Sequence, residues 1–562
     1  MVRRVAVIGA GSGGLVSIKC CLDEGQEPVC FESSDDIGGL WRFKERPEPE
    51  HSSIYRSLVS NTSKEMMCFS DFPMPADYPN YLHNAQLLQY YQLYAQHFDL
   101  LKYIQFQTTV RSVRQRPDLS YSGQWEVVTE NRDGLEESHV FDGVLVSSGH
   151  YTHPVTPMDN IKGAKTFPGK YYHSWEYKDP EPFRGKRVVI VGIGNSGCDI
   201  AVEISRTAEK TFLSTRKGGW ILGRMSDKGL PLDMLMINRW SLLMQRLLPK
   251  VLLNWVTERR LNNKYDHRLY SLQPKHRFFD RRPIVNDDLP GRILYGALAM
   301  KSNMLEFRGS SVVFEDQSVE ENIDAVVFCT GYSPTFSFLP SSLVTGRQGE
   351  IRLYKHMFPP SLERPTLALL GLIQTSGPIM PCMELQARWA TRAIAGLSQV
   401  PSERKMNEVI DAEMQRYTES YPSHATVQVQ YIPYLDDLAQ EVGARPNFLS
   451  LLFRDPSLSL KVLLGPCTPY QFRLFGPGQW KGARQAICTQ WDRVTQPMRT
   501  RPVPRLNPSS MSGWWLALSS GLTVVLAILA FQIKLPDLFD NLSEAFGGVL
   551  DDLWKDGIAP VV

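Results

Sequence analysis

The sequence has little that would mark a secreted, metal-binding or nucleic-acid-binding protein. Its nine cysteines, at positions 20, 21, 30, 68, 198, 329, 382, 467 and 488, form no CxxC or CxxxxC pair and no array with histidine. That pattern argues against a structural zinc site and removes the redox dithiol that a disulfide reductase needs. The net charge is only +2, with 61 Lys and Arg against 59 Asp and Glu, so no basic face for nucleic acid is expected. Met1 to Arg4 lead straight into Val5-Ala6-Val7-Ile8, leaving no room for a signal peptide's apolar region and cleavage site. The expectation is a reduced chain whose folded part faces the cytosol. No metal cluster, Ser-His-Asp set or closely spaced carboxylate pair is apparent either, so no metal ligands are assigned and chemistry carried by side chains alone is disfavoured.

What is present begins with length. A chain of 562 residues exceeds what one core supports and predicts roughly two to four domains. Two strand-turn-helix units carry glycine fingerprints. In the first, Val5 to Ile8 breaks into Gly9-Ala10-Gly11-Ser12-Gly13-Gly14, followed by a helical stretch from Leu15 to Glu24. Gly9 suits the tight turn, Gly11 the close approach of a pyrophosphate, and Gly14 the packing of helix on strand, while the helix N-terminus faces the phosphates. The next strand, Pro28 to Phe31, ends on Glu32, roughly the ~20 residues downstream at which a carboxylate takes an unphosphorylated ribose. Gly38-Gly39-Leu40-Trp41 then offers a further backbone turn against the same ligand. A bare GxGxxG also arises by chance; strand, fingerprint and terminal acid together do not commonly do so.

The second unit runs from Arg187-Val188-Val189-Ile190-Val191 into Gly192-Ile193-Gly194-Asn195-Ser196-Gly197. Its following strand ends in Ser214-Thr215-Arg216-Lys217 instead of an acid. A guanidinium can take a 2′-phosphate in a bidentate fork, so this site is expected to prefer NADP over NAD, the alternative being that Arg216 is a solvated surface charge. Phe141 to His150 parallels Ile323 to Tyr332, each an apolar strand ending in a small residue and glycine, and the two bracket the second unit as if it were inserted into the first.

The expected fold class is therefore α/β with two Rossmann-like dinucleotide domains, the second inserted in the first. The expected boundaries are 1–154 and 331–445 for the two parts of the first, 155–330 for the second, 446–512 for a C-terminal cap and linker, 513–533 for a membrane anchor and 534–562 for a tail. Residues about 222–292 are helical, rich in Leu, Met and Trp and dotted with Arg and Lys, which fits either a subdomain on a membrane surface or an internal helical core. Gly513 to Phe531 is uncharged and about long enough to cross a bilayer, with Trp514 and Trp515 at one interface and Arg499, Arg501 and Arg505 upstream. A transmembrane anchor is expected there, with a buried core helix as the alternative.

These residues resemble the vertebrate microsomal flavin-containing monooxygenases, the N-oxide-forming dimethylaniline monooxygenases, over essentially the whole chain. The family signature FxGxxxHxxxY stands as Phe167-Pro168-Gly169 through His173 to Tyr177, just ahead of the second fingerprint. Glu32 to Phe43, Asn61 to Met67, Cys329-Thr330-Gly331-Tyr332 and the stretch from Gly465 to Trp480 are also similar. The resemblance implies FAD on Gly9, Gly11, Ser12, Gly13, Gly14, Glu32, Gly39, Leu40, Trp41, Asn61 and Thr62. It implies NADPH on Gly192, Gly194, Asn195, Ser196, Gly197, Ser214, Thr215 and Arg216. It further implies that Asn61 stands beside the flavin as the catalytic residue, and that a C4a-hydroperoxyflavin transfers oxygen from O2 to small nucleophilic amines and sulfides. Phe167, Gly169, His173 and Tyr177 are expected to have structural and dinucleotide-positioning roles in the link between domains, although a histidine near neutrality invites a general-base reading. The endoplasmic reticulum membrane is the implied location; self-association is left open. The chain departs from the family in having Arg281-Arg282-Pro283 where many relatives carry an acid before the proline, and in a tail of about thirty residues. That departure keeps Baeyer-Villiger oxygenation of ketones in view, beside an uncoupled NADPH oxidase and a non-enzymatic dinucleotide sensor.

Overall fold

Runs of β-branched residues with no polar alternation build strands covered on both faces, which is the environment of a parallel sheet. Val5 to Val7 and Val188 to Ile190 are such runs, and all six residues are fully buried. In the computed structural model, which describes residues 2–346, 349–420 and 428–502, each lies at the centre of a five-stranded parallel sheet.

The first sheet has the order Leu367–Leu369, Gly143–Val146, Arg4–Ile8, Glu27–Phe31, Ile104–Gln105. The second has the order Leu298–Lys301, Lys210–Ser214, Arg187–Val191, Ala325–Phe328, Lys170–His173. Every strand of the second sheet falls in sequence between Gly143–Val146 and Leu367–Leu369 of the first. The two crossings between sheets run side by side, with His153–Pro154 paired antiparallel to Tyr332–Ser333. Helix Met380–Ala395 packs on helix Ser12–Asp23 and closes one face of the first sheet.

The stretch 222–292 leaves the second sheet through a narrow neck. Ile221–Leu222 and Ile284–Val285 pair in parallel, and helices Leu232–Met236, Arg239–Leu247 and Lys250–Lys264 lie beyond it. These helices do not close around a core of their own: Met234, Arg239 and Asn254 are their buried residues, whereas Leu247, Val251, Trp255 and Val256 are exposed. Helix Pro456–Leu464 contacts Arg239–Leu247, and with Phe448–Arg454 it adds exposed Leu449, Leu452, Phe453 and Leu460.

Residues Met1–Met498 form one compact unit. The expected anchor at Gly513 to Phe531 and the tail from 534 lie outside the described residues, and among the described residues no helix is long and apolar enough to cross a membrane.

Candidate dinucleotide and oxygenation site

Both fingerprints form the same device. Gly9 and Gly192 take φ of +95° and +113°, conformations that favour glycine, and turn the chain from strand into helix. A Cβ on Gly14 would stand 1.8 Å from the Gly9 carbonyl oxygen, and one on Gly197 would stand 1.9 Å from that of Gly192, so both helices sit as close to their turns as backbone allows. The middle glycines differ. Nothing lies within 4 Å of a Cβ built on Gly194, and one on Gly11 would meet only Gly39 Cα at 3.7 Å. Each turn thus leaves open space over its middle glycine at a helix N-terminus, a cradle suited to a pyrophosphate.

Glu32 closes the first cradle. Ala10 N donates to its Oε2 (2.6 Å) and Ser34 N to its Oε1 (2.8 Å), which ties the carboxylate to the fingerprint and leaves lone pairs for a ribose. Gly38 N donates to Ala10 O, and Gly39 abuts Gly11, so Gly38-Gly39-Leu40-Trp41 lies against the same turn. Ser12 is half-buried there and Gly13 buried.

At the second site the strand end separates residues that sequence reading grouped together. Ser214 is buried; its hydroxyl donates to Ser302 O (2.7 Å) and accepts from Met304 N (3.1 Å), so it is engaged inside the protein. Thr215 Oγ1 accepts from Gly218 N. Arg216 is exposed and makes no hydrogen bond or ion pair among the described residues, and Ser196 is also exposed. Asn195 opens the helix, and its Oδ1 accepts from Val285 N in the neck (3.0 Å).

Asn61 sits in a loop fixed from several sides. Ser60 N donates to Leu82 O, Ser60 Oγ to Thr62 O, and Ser63 N to Asp233 Oδ2 (2.6 Å). The Lys64 ammonium is fully buried and donates to the carbonyls of Pro75, Ala76 and Tyr78; burial lowers it to about 8. Glu65, wholly buried, takes the Arg493 guanidinium and the Tyr470 hydroxyl. Asn61 and Thr62 stay half-buried, and Arg224 Nη2 donates to Asn61 Oδ1 (2.7 Å). A neighbouring chain of bonds reaches the second unit: Tyr55 Oη donates to Asp199, which also accepts from Asn286 Nδ2, each at 2.7 Å. Lys64 and Glu65 fall in the family-similar stretch Asn61 to Met67, whereas Arg224 and Asp233 carry no motif and nothing local in the sequence singles them out.

Of the signature residues His173 lies in the second sheet, and Phe167, Gly169 and Tyr177 flank its edge strand. Lys170–His173 is its edge strand, registered on Ala325–Phe328. Phe167 stacks on Phe307 (4.6 Å between centroids), a Cβ on Gly169 would collide with the Phe167 ring, and Tyr177 Oη donates to Glu203 Oε2 (2.9 Å). His173 is buried against the Tyr332 ring, its Nδ1 accepts from Trp175 N (3.1 Å), and desolvation lowers it to about 4. The ring is thus held neutral, with its Nδ1 lone pair occupied by a backbone N–H.

His150, His267 and His356 are likewise lowered to about 4 by burial. For a base whose folded value is depressed, the stability is present above the ordinary value of 6.5 and is lost as pH falls toward 4. The melting temperature should therefore fall steadily over that window. A His173→Gln variant, which cannot titrate, should show a shallower fall in calorimetric scans; an unchanged slope would remove His173 from the account.

Two parallel sheets, each with a glycine cradle at a helix N-terminus and the second inserted in sequence within the first, are the arrangement of an oxidoreductase that takes two dinucleotides. The family model for flavin-binding monooxygenase-like proteins matches residues 2–533, and the chain belongs to that family. It is 52% identical over 514 residues to dimethylaniline monooxygenase [N-oxide-forming] 2 of Cavia porcellus, covering 91% of this chain and 96% of the relative. Among solved structures, S-allyl-L-cysteine S-oxygenase from Allium sativum aligns with a TM-score of 0.61 at 24% identity, covering 88% of this chain and 99% of that one. Cyclohexanone monooxygenase from Rhodococcus sp. Phi1, bound to NADP+, aligns with a TM-score of 0.56 at 17% identity, covering 79% and 98%. The protein is an NADPH-dependent flavoprotein monooxygenase with FAD as its prosthetic group.

Proposed function

We propose that this enzyme transfers one atom of O2 to soft nucleophilic nitrogen and sulfur centres of small xenobiotic-like molecules. The observation that carries the reading is the setting of Asn61: it is half-buried, its amide oxygen is held by Arg224, and among the described residues its NH2 group donates to nothing. FAD lies on Gly9, Gly11, Ser12, Gly13, Gly14, Glu32, Gly39, Leu40, Trp41 and Thr62. NADPH lies on Gly192, Gly194, Asn195, Ser196, Gly197, Thr215 and Arg216, with Ser214 supporting the strand end from inside. Bound FAD, once reduced, would supply the oxygen-activating chemistry, and Asn61 would offer it an N–H from a loop fixed by its neighbours.

A second reading, ketone oxygenation, is favoured by Arg282, where many relatives carry an acid; its Nη1 reaches Gln374 Oε1 at 3.4 Å. The exposed apolar faces of Lys250–Lys264 and Phe448–Arg454 support seating on the endoplasmic reticulum membrane, on its cytosolic side.

The test uses purified enzyme with NADPH and, side by side, a methyl aryl sulfide and a cyclic ketone. Sulfoxide without lactone is expected, and lactone without sulfoxide would overturn the assignment. Asn61→Leu should keep its yellow cofactor while product per NADPH falls about tenfold or more, the scale of losing one placed donor in a dry site. Oxygenation as tightly coupled as in the parent enzyme would exclude this role for Asn61.

A further inference from the structure

Arg224 spends its whole guanidinium on one task. Its Nη1 donates to Asp287 Oδ2 (2.8 Å), its Nε to Ser60 O (3.1 Å) and its Nη2 to Asn61 Oδ1 (2.7 Å), while its backbone N donates to Asp287 Oδ1 (2.8 Å). The backbone is pinned as well, because Arg224 O accepts from Tyr81 Oη and Leu232 N. The side chain is 14% exposed, and this planar fork spans a carboxylate, a carbonyl and an amide at once, which an ammonium cannot do.

We propose that Arg224 is the positioning residue for Asn61, fixing which way its amide faces and sharpening it as a donor. The proposal rests on the reading of Asn61 given above. An amide can be turned over at little steric cost, because its oxygen and nitrogen differ little in size. A cation on one side removes that freedom: only the oxygen can accept from Arg224, so the NH2 must face the opposite way. A charge-assisted bond to the carbonyl also polarises the amide and strengthens its remaining N–H groups as donors.

The same neck treats the second amide alike. Val285 N donates to Asn195 Oδ1, and among the described residues the Asn195 NH2 again donates to nothing; Asp287 lies two residues further along. Residues 284–287 thus bear on both amides, Val285 N directly on Asn195 and Asp287 on Asn61 through Arg224. The helical insertion, which holds neither fingerprint, is what orients the polar groups between them.

The test compares Arg224→Met, Arg224→Lys and Asp287→Asn with Asn61→Leu and with the Arg224→Met/Asn61→Leu double variant. Two readouts are followed: hydrogen peroxide released per oxygenated product, and amide hydrogen exchange of the segment 58–63 in the oxidised holoenzyme without NADPH or substrate. Arg224→Met should raise the peroxide ratio about tenfold, the scale of one bond to a charged group, and should add nothing further once Asn61 is leucine. Exchange in 58–63 should accelerate in the single variant. Arg224→Lys keeps the charge beside Asp287 but not the fork, so melting temperature should recover while the peroxide ratio stays high.

Full recovery of coupling by lysine, or additive losses in the double variant, would overturn the proposal. If Arg224→Met fails to retain flavin, Asp287→Asn, which releases the guanidinium without removing it, carries the same comparison. If Asn61→Leu is itself coupled, the reading of Asn61 falls; if it uncouples while the Arg224 and Asp287 variants do not, only the positioning role falls.

Discussion

Replacing Arg473 by methionine is expected to lower the stability of the holoenzyme by about 3–5 kcal/mol, the cost of removing one partner from a buried ion network. Arg473 is almost wholly buried. Its Nη2 meets Asp71 Oδ2 (2.8 Å) and Glu384 Oε1 (2.6 Å), its Nε donates to Ser70 Oγ, and its Nη1 donates to Gly478 O. Ser70 donates to both oxygens of Glu384, and Lys19 reaches Asp71 (2.7 Å). The cluster joins the segment Gly465 to Trp480 to helix Ser12–Asp23 and helix Met380–Ala395, beneath the first sheet. Burial alone would raise Asp71, but Arg473 and Lys19 hold it below the ordinary carboxylate value. Its contribution is therefore complete above that range and is lost as pH falls through the lowered value. Removing Arg473 leaves Asp71 with Lys19 and Glu384 with Ser70 but takes away their shared guanidinium, so the melting temperature measured by flavin fluorescence should drop by roughly 3–5 °C, and the flavin should leave at the transition. Neutralising the partners in Arg473→Met/Asp71→Asn/Glu384→Gln should restore part of the loss, since the network's net worth is smaller than the cost of breaking it. A single variant melting within about a degree of the parent would show that solvent already reaches the cluster.

The second large effect concerns cofactor choice. Arg216 stands exposed just past strand Lys210–Ser214. A fork to a 2′-phosphate contributes about 1.5–3 kcal/mol, so Arg216→Ala should raise KM for NADPH roughly 10- to 100-fold with kcat little changed. KM for NADH, which has no such phosphate, should move little. Parallel increases for both nucleotides would point to a general disturbance of the strand end, and no increase for NADPH would return Arg216 to the status of a solvated charge.

How legible these sites are follows from how local their causes are. The glycine turns stand out because strand, turn and helix are contiguous, and each glycine answers a contact within a few residues, as Gly14 does with the Gly9 carbonyl. The pairing of the two crossings is legible for a related reason, since Phe141 to His150 and Ile323 to Tyr332 repeat one pattern. The setting of Asn61 is not legible, because Arg224 lies 163 positions away in a stretch whose composition reads only as helical. Ser214 and Arg216 look alike as ligands in the sequence; the fold directs one hydroxyl inward to Ser302 and leaves the guanidinium outside. The strand at Lys170–His173 is too short and too polar to announce itself. Its register on Ala325–Phe328 is what turns a family signature into sheet edge.

The two-residue neck at Ile221–Leu222 and Ile284–Val285 makes residues 223–283 topologically detachable. A segment that departs and returns at adjacent points adds little loop-closure entropy to the folding of the sheet beneath it. The module can therefore be reshaped beyond its first turns, provided that Arg224 and Asp233 continue to hold the loop at 60–63. A chimaera cut at this neck whose insert lacks either residue should leave the loop at 60–63 without those bonds while the sheet beneath keeps its strands.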